Sequence, residues 1–184
     1  MVDVSPPATT VKETAVADVQ LNDDGAPSQV NGYRVLKQLG EGTTSKVYHC
    51  QDESGRDYAL KILNKSFLKR KREYKKVDGK MVFSNAFQKV QKEVAIMKKL
   101  SHDNLVKLHE IIDSPADDKM VLVLELITGG QVMKWEEKGF RYRCLRTTTG
   151  VMDHDNVRRC MRDVIDALKY HEDGRTPGAG PQFD

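Results

Sequence analysis

Leu39-Gly40-Glu41-Gly42-Thr43-Thr44-Ser45-Lys46-Val47, followed by Tyr58-Ala59-Leu60-Lys61, is the stretch whose reading decides the fold. Glycines at 40 and 42 carry no Cβ, so the backbone there can come close to phosphate oxygens. Val47 offers an apolar lid for a flat base, and Lys61 brings a compact positive charge. Apolar and polar residues alternate before and after the loop. Tyr33, Val35 and Leu39 form one run, Lys46 to Cys50 a second and Tyr58 to Leu63 a third, which predicts three antiparallel strands. The glycine loop turns the first into the second. Asp52-Glu53-Ser54-Gly55-Arg56 turns the second into the third.

Two other glycine-loop readings compete. Gly40-Glu41-Gly42-Thr43-Thr44-Ser45-Lys46 approaches a Walker A loop, but Ser45 stands where its second glycine belongs and Val47 where its Ser/Thr belongs. A Walker loop, like a dinucleotide-binding one, must also open a helix so that phosphate meets the helix N-terminus. Here the residues after the loop read as strand. A plain hairpin glycine is the remaining alternative.

Further along, Val90, Val94 and Met97 fall at i, i+4 and i+7, predicting a helix over about Asn85 to Leu100 with Glu93 beside its apolar stripe. Ser101-His102-Asp103-Asn104 ends it. Leu105 to Ile112 and Met120 to Leu126 read as two more strands, joined by the turn from Asp113 to Asp118. A mixed segment follows Thr128-Gly129-Gly130, and then a helix from about Asp155 to Glu172 has Asp153 or Asp155 as N-cap. Lys61 lies in an apolar run between Leu60 and Ile62, where an unpaired ammonium is costly. That predicts a partner, and Glu93 is the candidate.

Together these residues resemble the small lobe of the eukaryotic protein kinases: a five-stranded antiparallel sheet plus one helix in an α+β fold, then a hinge and one large-lobe helix. In that family the glycine loop is a hairpin flap over the phosphates of ATP, and a strand lysine, paired with a helix glutamate, holds them. The resemblance implies catalytic roles for Lys61 and Glu93. It implies ATP contacts along Leu39, Gly40, Glu41, Gly42, Thr43, Thr44, Ser45, Lys46 and Val47, and at Ala59 and Lys61. It makes Leu124 the gatekeeper, Glu125 to Ile127 the hinge, Val132 the floor under adenine, and Met97 and Leu108 the small-lobe part of a hydrophobic spine. Ala95 to Leu100, Val123 to Leu126 and Gly130 to Met133 are most similar to the calcium/calmodulin-dependent protein kinase kinases. Those enzymes carry an insert before the helix, as this chain does from about Lys65 to Phe87, although this insert has Lys69-Arg70-Lys71-Arg72 and no proline.

Mg2+ accompanies ATP in the family, but the catalytic-loop Asp and Asn and the metal-loop Asp have no counterpart among these 184 residues. His171-Glu172-Asp173 stands near the expected place and lacks the residues that must follow. The sequence therefore predicts no metal ligands and an ATP-binding portion of a Ser/Thr kinase that is inactive alone. The alternative is a non-catalytic ATP-binding scaffold. Val157, Met161, Val164, Ile165 and Leu168 form an apolar helix face without an evident cover, which predicts self-association.

Composition bounds the rest. The chain is 39% hydrophobic and 31% charged with a net charge of +3, too little to make nucleic acid a general partner. No apolar run approaches the roughly 20 residues of a membrane span, and the start lacks a secretory pattern. Cys50, Cys144 and Cys160 show no metal spacing and read as reduced thiols. A cytoplasmic protein is expected, with Lys69 to Arg72 as a solvated loop or, alternatively, a nuclear-import or acidic-partner patch. Residues 1–30, with Pro6, Pro7 and Pro27 and little periodic pattern, read as a disordered tail, residues 31–173 as a partial kinase domain (small lobe 33–127, hinge 125–130, large-lobe start 131–173), and 174–184 as a second tail.

Overall fold

The computed structural model describes residues 10–77, 80–145 and 147–172; the backbone alone is described for 73–77, 80–82 and 171–172. The expected tail at 174–184 and the first nine residues lie outside the described residues.

The chain divides into two units, the first comprising residues up to Ser101 together with Val106–Leu126. In the first unit the elements in chain order are β1 (Lys12–Thr14), β2 (Val19–Leu21), β3 (Pro27–Val30), β4 (Tyr33–Glu41), β5 (Ser45–Gln51), β6 (Asp57–Asn64), α1 (Lys65–Arg70), β7 (Arg72–Val77), β8 (Lys80–Asn85), α2 (Ala86–Met97), β9 (Leu108–Asp113) and β10 (Lys119–Glu125). An eight-stranded sheet runs in the order β1-β9-β10-β6-β5-β4-β3-β2, and β7 and β8 form a separate hairpin. The five strands read from the sequence are its five central members, all antiparallel neighbours.

The expectation of a disordered tail over residues 1–30 fails for 12–30. These residues add three strands, with β1 parallel to β9 at one edge and β3-β2 continuing from β4 at the other. Only Ala15–Asp18 separates β1 from β2, although they are the two outermost strands. Even fully extended, a connection that short spans about 17 Å, so the sheet must curl until its edges nearly meet. Asn31, in the left-handed region at φ 48°, holds the connection: its Oδ1 accepts from the Asp18 N–H, its Nδ2 donates to the Val16 carbonyl and its N–H donates to the Asp18 carbonyl.

The curl gives the sheet an inside and an outside. Inside are Val30, Tyr48, Cys50, Leu60, Ile112, Val121 and Val123, with Ala17 and Val19 packed against them. Outside, Leu63, Leu108, Ile111, Met120 and Leu122 meet Leu68 of α1 and Ala86, Phe87 and Val94 of α2. The N-terminal segment folds because its few apolar side chains complete the inner core, a long-range gain that local periodicity does not register.

The insert starts as α1, whose Lys65 is buried and donates to Asp113 Oδ1 (2.8 Å) and the Ser114 carbonyl (2.7 Å). A capping box opens α2: Asn85 Oδ1 accepts from the Gln88 N–H, and the Gln88 side chain accepts from the Asn85 N–H.

The second unit holds His102–Leu105 and the chain from Ile127 onward. Its elements are the short hairpin β11 (Lys134–Glu136) and β12 (Arg141–Arg143), joined through a 3-10 turn, and α3 (His154–Glu172). Asp153 caps α3 by accepting from the Asn156 N–H at 2.8 Å, one of the two caps expected. His102–Leu105 lies on this helix, through the His102 and Tyr170 rings at 5.1 Å and Asn104 Nδ2 donating to the Asp163 carbonyl.

Candidate nucleotide site

The β4–β5 hairpin turns at Gly42, whose N–H donates to the Ser45 carbonyl at 2.8 Å. Gly40 pairs with Val47 and Glu41 with Lys46. Lys46 Nζ reaches Glu41 Oε1 at 3.2 Å, and Gln38 Nε2 donates to the same carboxylate. Those two bonds, that from Lys46 first, hold the Glu41 carboxyl below its ordinary value. The loop's own acid and base thus close its base. Opposite charges flanking a four-residue turn signal that pairing, and the sequence reading passed over it. The tip is tied down as well, because the Asn64 N–H donates to the Thr44 carbonyl at 3.3 Å.

Neither Gly40 nor Gly42 has positive φ, so backbone freedom does not explain them. A Cβ built at Gly40 meets nothing within 4 Å, and one at Gly42 meets only ordinary contacts with Ser45. The protein itself has no steric need for glycine at 40. What the missing side chain leaves is room for something else to approach the backbone.

Directly across the ladder, Val47 pairs with Lys61, and Lys61 with Leu122. Gly40, Val47 and Lys61 therefore stand in one row on the outer face of the sheet. Ala59, two residues before Lys61 on the same face, pairs with Leu124. The sequence offered these residues as separate motif positions, and the register brings them side by side.

Lys61 and Glu93 are not brought together. Glu93 is exposed on α2, and among the described residues no carboxylate stands within ion-pair distance of the Lys61 ammonium. The requirement for a partner is weaker than the sequence suggested because Lys61 is only half-buried. Val90, Val94 and Met97 turn toward the outer core, and Glu93 sits beside that stripe. Met97 and Leu108 do belong to one apolar cluster.

At the end of β10, the Glu125 N–H donates to the Lys107 carbonyl at 2.9 Å, and its carboxylate accepts from the Lys107 N–H. That N–H is therefore already paired with the residue just before β9. Ile127 and Val132 belong to the second unit and are exposed. A cleft of about 260 Å3 opens at the hairpin tip, walled by Glu41 to Lys46, Ile62 to Asn64 and Lys119. Arg70 and Lys71 of the basic run line another beside Thr43. Among the described residues no group of three His, Cys, Asp or Glu is placed to hold a metal, and no helix is long and apolar enough to cross a membrane.

The sequence reading also missed a buried carboxylate. Glu110 on β9 is 1% exposed and accepts from Tyr33 Oη (2.8 Å), Thr14 Oγ1 and Lys12 Nζ (3.1 Å). Burial by itself would raise its pKa, but the three donors outweigh burial and hold it below the ordinary value of 4.5. Burial first, and then the bond to Glu110, push the Tyr33 hydroxyl upward. An acidic residue amid a run of apolar strand positions was the available signal.

Residues 33–174 match the protein kinase domain family. The chain is 37% identical over 165 residues to a probable serine/threonine-protein kinase of Dictyostelium discoideum, covering 88% of this chain and 20% of that protein. It is 32% identical over 152 residues to a calcium/calmodulin-dependent protein kinase kinase of Caenorhabditis elegans, covering 77% of this chain and 26% of the relative. It is also 32% identical over 161 residues to the serine/threonine-protein kinase ssp1 of Schizosaccharomyces pombe, covering 87% and 22%. The chain thus spans about a fifth to a quarter of the length of these relatives. The Dictyostelium match covers more of the chain than the residues from Tyr33 onward could supply, so it takes in part of the N-terminal segment. With its glycine hairpin, its strand lysine and the match over residues 33–174, this chain belongs to the protein kinase family and covers part of the kinase domain.

Proposed function

We propose that the outer face of the β4–β5–β6 region grips ATP in a Ser/Thr-specific protein kinase. The observation that carries the reading is the row Gly40, Val47, Lys61, in which the space a Cβ would fill at Gly40 is empty. Backbone groups of the hairpin would approach the phosphates through that space, and Lys61 would supply charge. Val47 and Ala59 would cover the adenine, with Leu124 at its back and the end of β10 at its edge. Bound Mg2+ neutralises phosphate charge in this family. Its protein ligands are not among the residues described.

Phosphoryl transfer needs a base and metal-holding carboxylates, and the 184 residues contain neither an HRD nor a DFG sequence. These residues by themselves are therefore expected to bind ATP without transferring phosphate. Glu93, exposed and away from Lys61, favours as a second reading a non-catalytic ATP-binding scaffold. Titration of the purified protein with a fluorescent ATP analogue tests the site, and Lys61→Met should weaken binding at least tenfold. Saturable binding indifferent to Lys61→Met would overturn the assignment. Phosphate transfer from labelled ATP to a generic Ser/Thr substrate, abolished by the same substitution, would overturn the expectation of inactivity.

A further inference from the structure

The edge of β9 would present unpaired N–H and C=O groups if nothing lay against it, and such an edge accepts an added strand. Here the added strand is β1, from the chain's own N-terminal segment, with Lys12, Glu13 and Thr14 paired in parallel with Glu110, Ile111 and Ile112. Three residues of backbone pairing are too few to hold a strand by themselves. Side chains do the rest, and they alternate. Lys12 and Thr14 point to the inside of the curled sheet and bond buried Glu110. Glu13 points the other way, to the side on which α2 packs, and its carboxylate meets Lys98 Nζ at 2.8 Å. Lys98 is the C-cap residue of α2. Val11, just before the strand, packs against the cluster that contains Val94 and Phe87 of α2.

We infer that residues 11–14 form a strap that fixes α2, and with it Glu93, relative to the sheet that carries Lys61. The strap is anchored at Glu110 on one side and holds the helix end at Lys98 on the other. The other end of α2 is held by the Asn85 cap and by the Ala86 N–H, which donates to the Lys71 carbonyl at 3.0 Å. With both ends tied, the arrangement in which Glu93 stands clear of Lys61 is the strapped one. A helix released at Lys98 would be free to pivot about its N-terminus, which makes the N-terminal segment a positioning element for the nucleotide site. The functional side of this inference rests on the ATP-site reading above.

Amide hydrogen exchange on the full chain tests it. Thr14→Asp sets a carboxylate against buried Glu110 and should release β1. Exchange at residues 12–14 should then accelerate, with at least tenfold faster exchange over Val90–Lys98, while β5 and β6 stay within twofold of the parent. Thr14→Ser keeps the hydroxyl and should match the parent. Lys98→Glu should speed exchange at the α2 C-terminus two- to threefold, and adding Glu13→Lys should restore it. Fast exchange at 12–14 with parental protection of α2 would overturn the inference. If Thr14→Asp does not fold, the charge-reversal pair decides, and absence of restoration overturns it. A parent that fails to bind the ATP analogue would sink the nucleotide reading while leaving the exchange result for the strap intact.

Discussion

Tyr33, Thr14 and Lys12 converge on one carboxylate, and their contributions differ because their exposure differs. The Lys12 side chain is 71% exposed against 2% for that of Glu110, so its ammonium keeps most of its hydration and its ion pair is screened. Tyr33 is half-buried and makes a hydrogen bond to a charged acceptor, the kind worth about 1.5–3 kcal/mol. Tyr33→Phe should therefore destabilise the protein by about 2 kcal/mol and Lys12→Met by less than about 1 kcal/mol in urea unfolding. Because the folded-state pKa of Glu110 is lowered, its contribution is fully present above its ordinary value of 4.5 and is lost as pH falls through the lower folded value. Melting temperature followed from pH 6 downward should fall more steeply in the parent than in Glu110→Gln, which has no carboxyl to titrate. Gly40 makes the complementary case. Since a Cβ there meets nothing and φ is not positive, Gly40→Ala should leave stability unchanged or raise it by up to about 1 kcal/mol. The same substitution should lower ATP-analogue affinity several-fold, and a parallel fall in stability and affinity would refute that account of the glycine.

Among the elements, α2 illustrates how local and tertiary effects divide. Asn85 and Gln88 form a capping box at its start, a local signal the sequence reading passed over. Asn85→Ala should cost about 1 kcal/mol in a thermal or urea melt, and Asn85→Ser much less. The apolar spacing of Val90, Val94 and Met97 likewise shows which side of the helix meets the sheet. Nothing local, however, specifies how far the helix stands from Lys61. That distance depends on β1, whose three residues show no strand pattern, and on Glu13 and Lys98, which are 85 positions apart. The N-terminal strands were illegible for the same reason. β2 is largely exposed and β3 buries chiefly Val30, and what orders them is the inner core they complete.

At the scale of the whole protein, α3 carries an exposed apolar face among the described residues. Val157, Met161, Val164, Ile165 and Leu168 are between 43% and 58% exposed, as the helix periodicity implied for an uncovered face. Apolar patches of this kind promote association. The 184-residue protein should elute from sizing chromatography above its monomer position and bind a hydrophobic dye, and Val164→Lys with Leu168→Asp should shift both toward the monomer. A parent that already elutes as a dye-silent monomer would remove the patch as an association surface. What the sequence determined unaided was everything with a short repeat: the five central strands, both long helices and the glycine hairpin, while the pairing that puts Val47 beside Lys61 came from the ladder register. Strand alternation and helix periodicity encode a face within a few residues, so they can be read in place. Only the tertiary structure decided that residues 12–30 close the sheet, that Glu110 is buried and satisfied, and that Glu93 stands away from Lys61. Each of these depends on groups brought together by chain closure across dozens of residues, where the free energy comes from shared burial and leaves no local pattern.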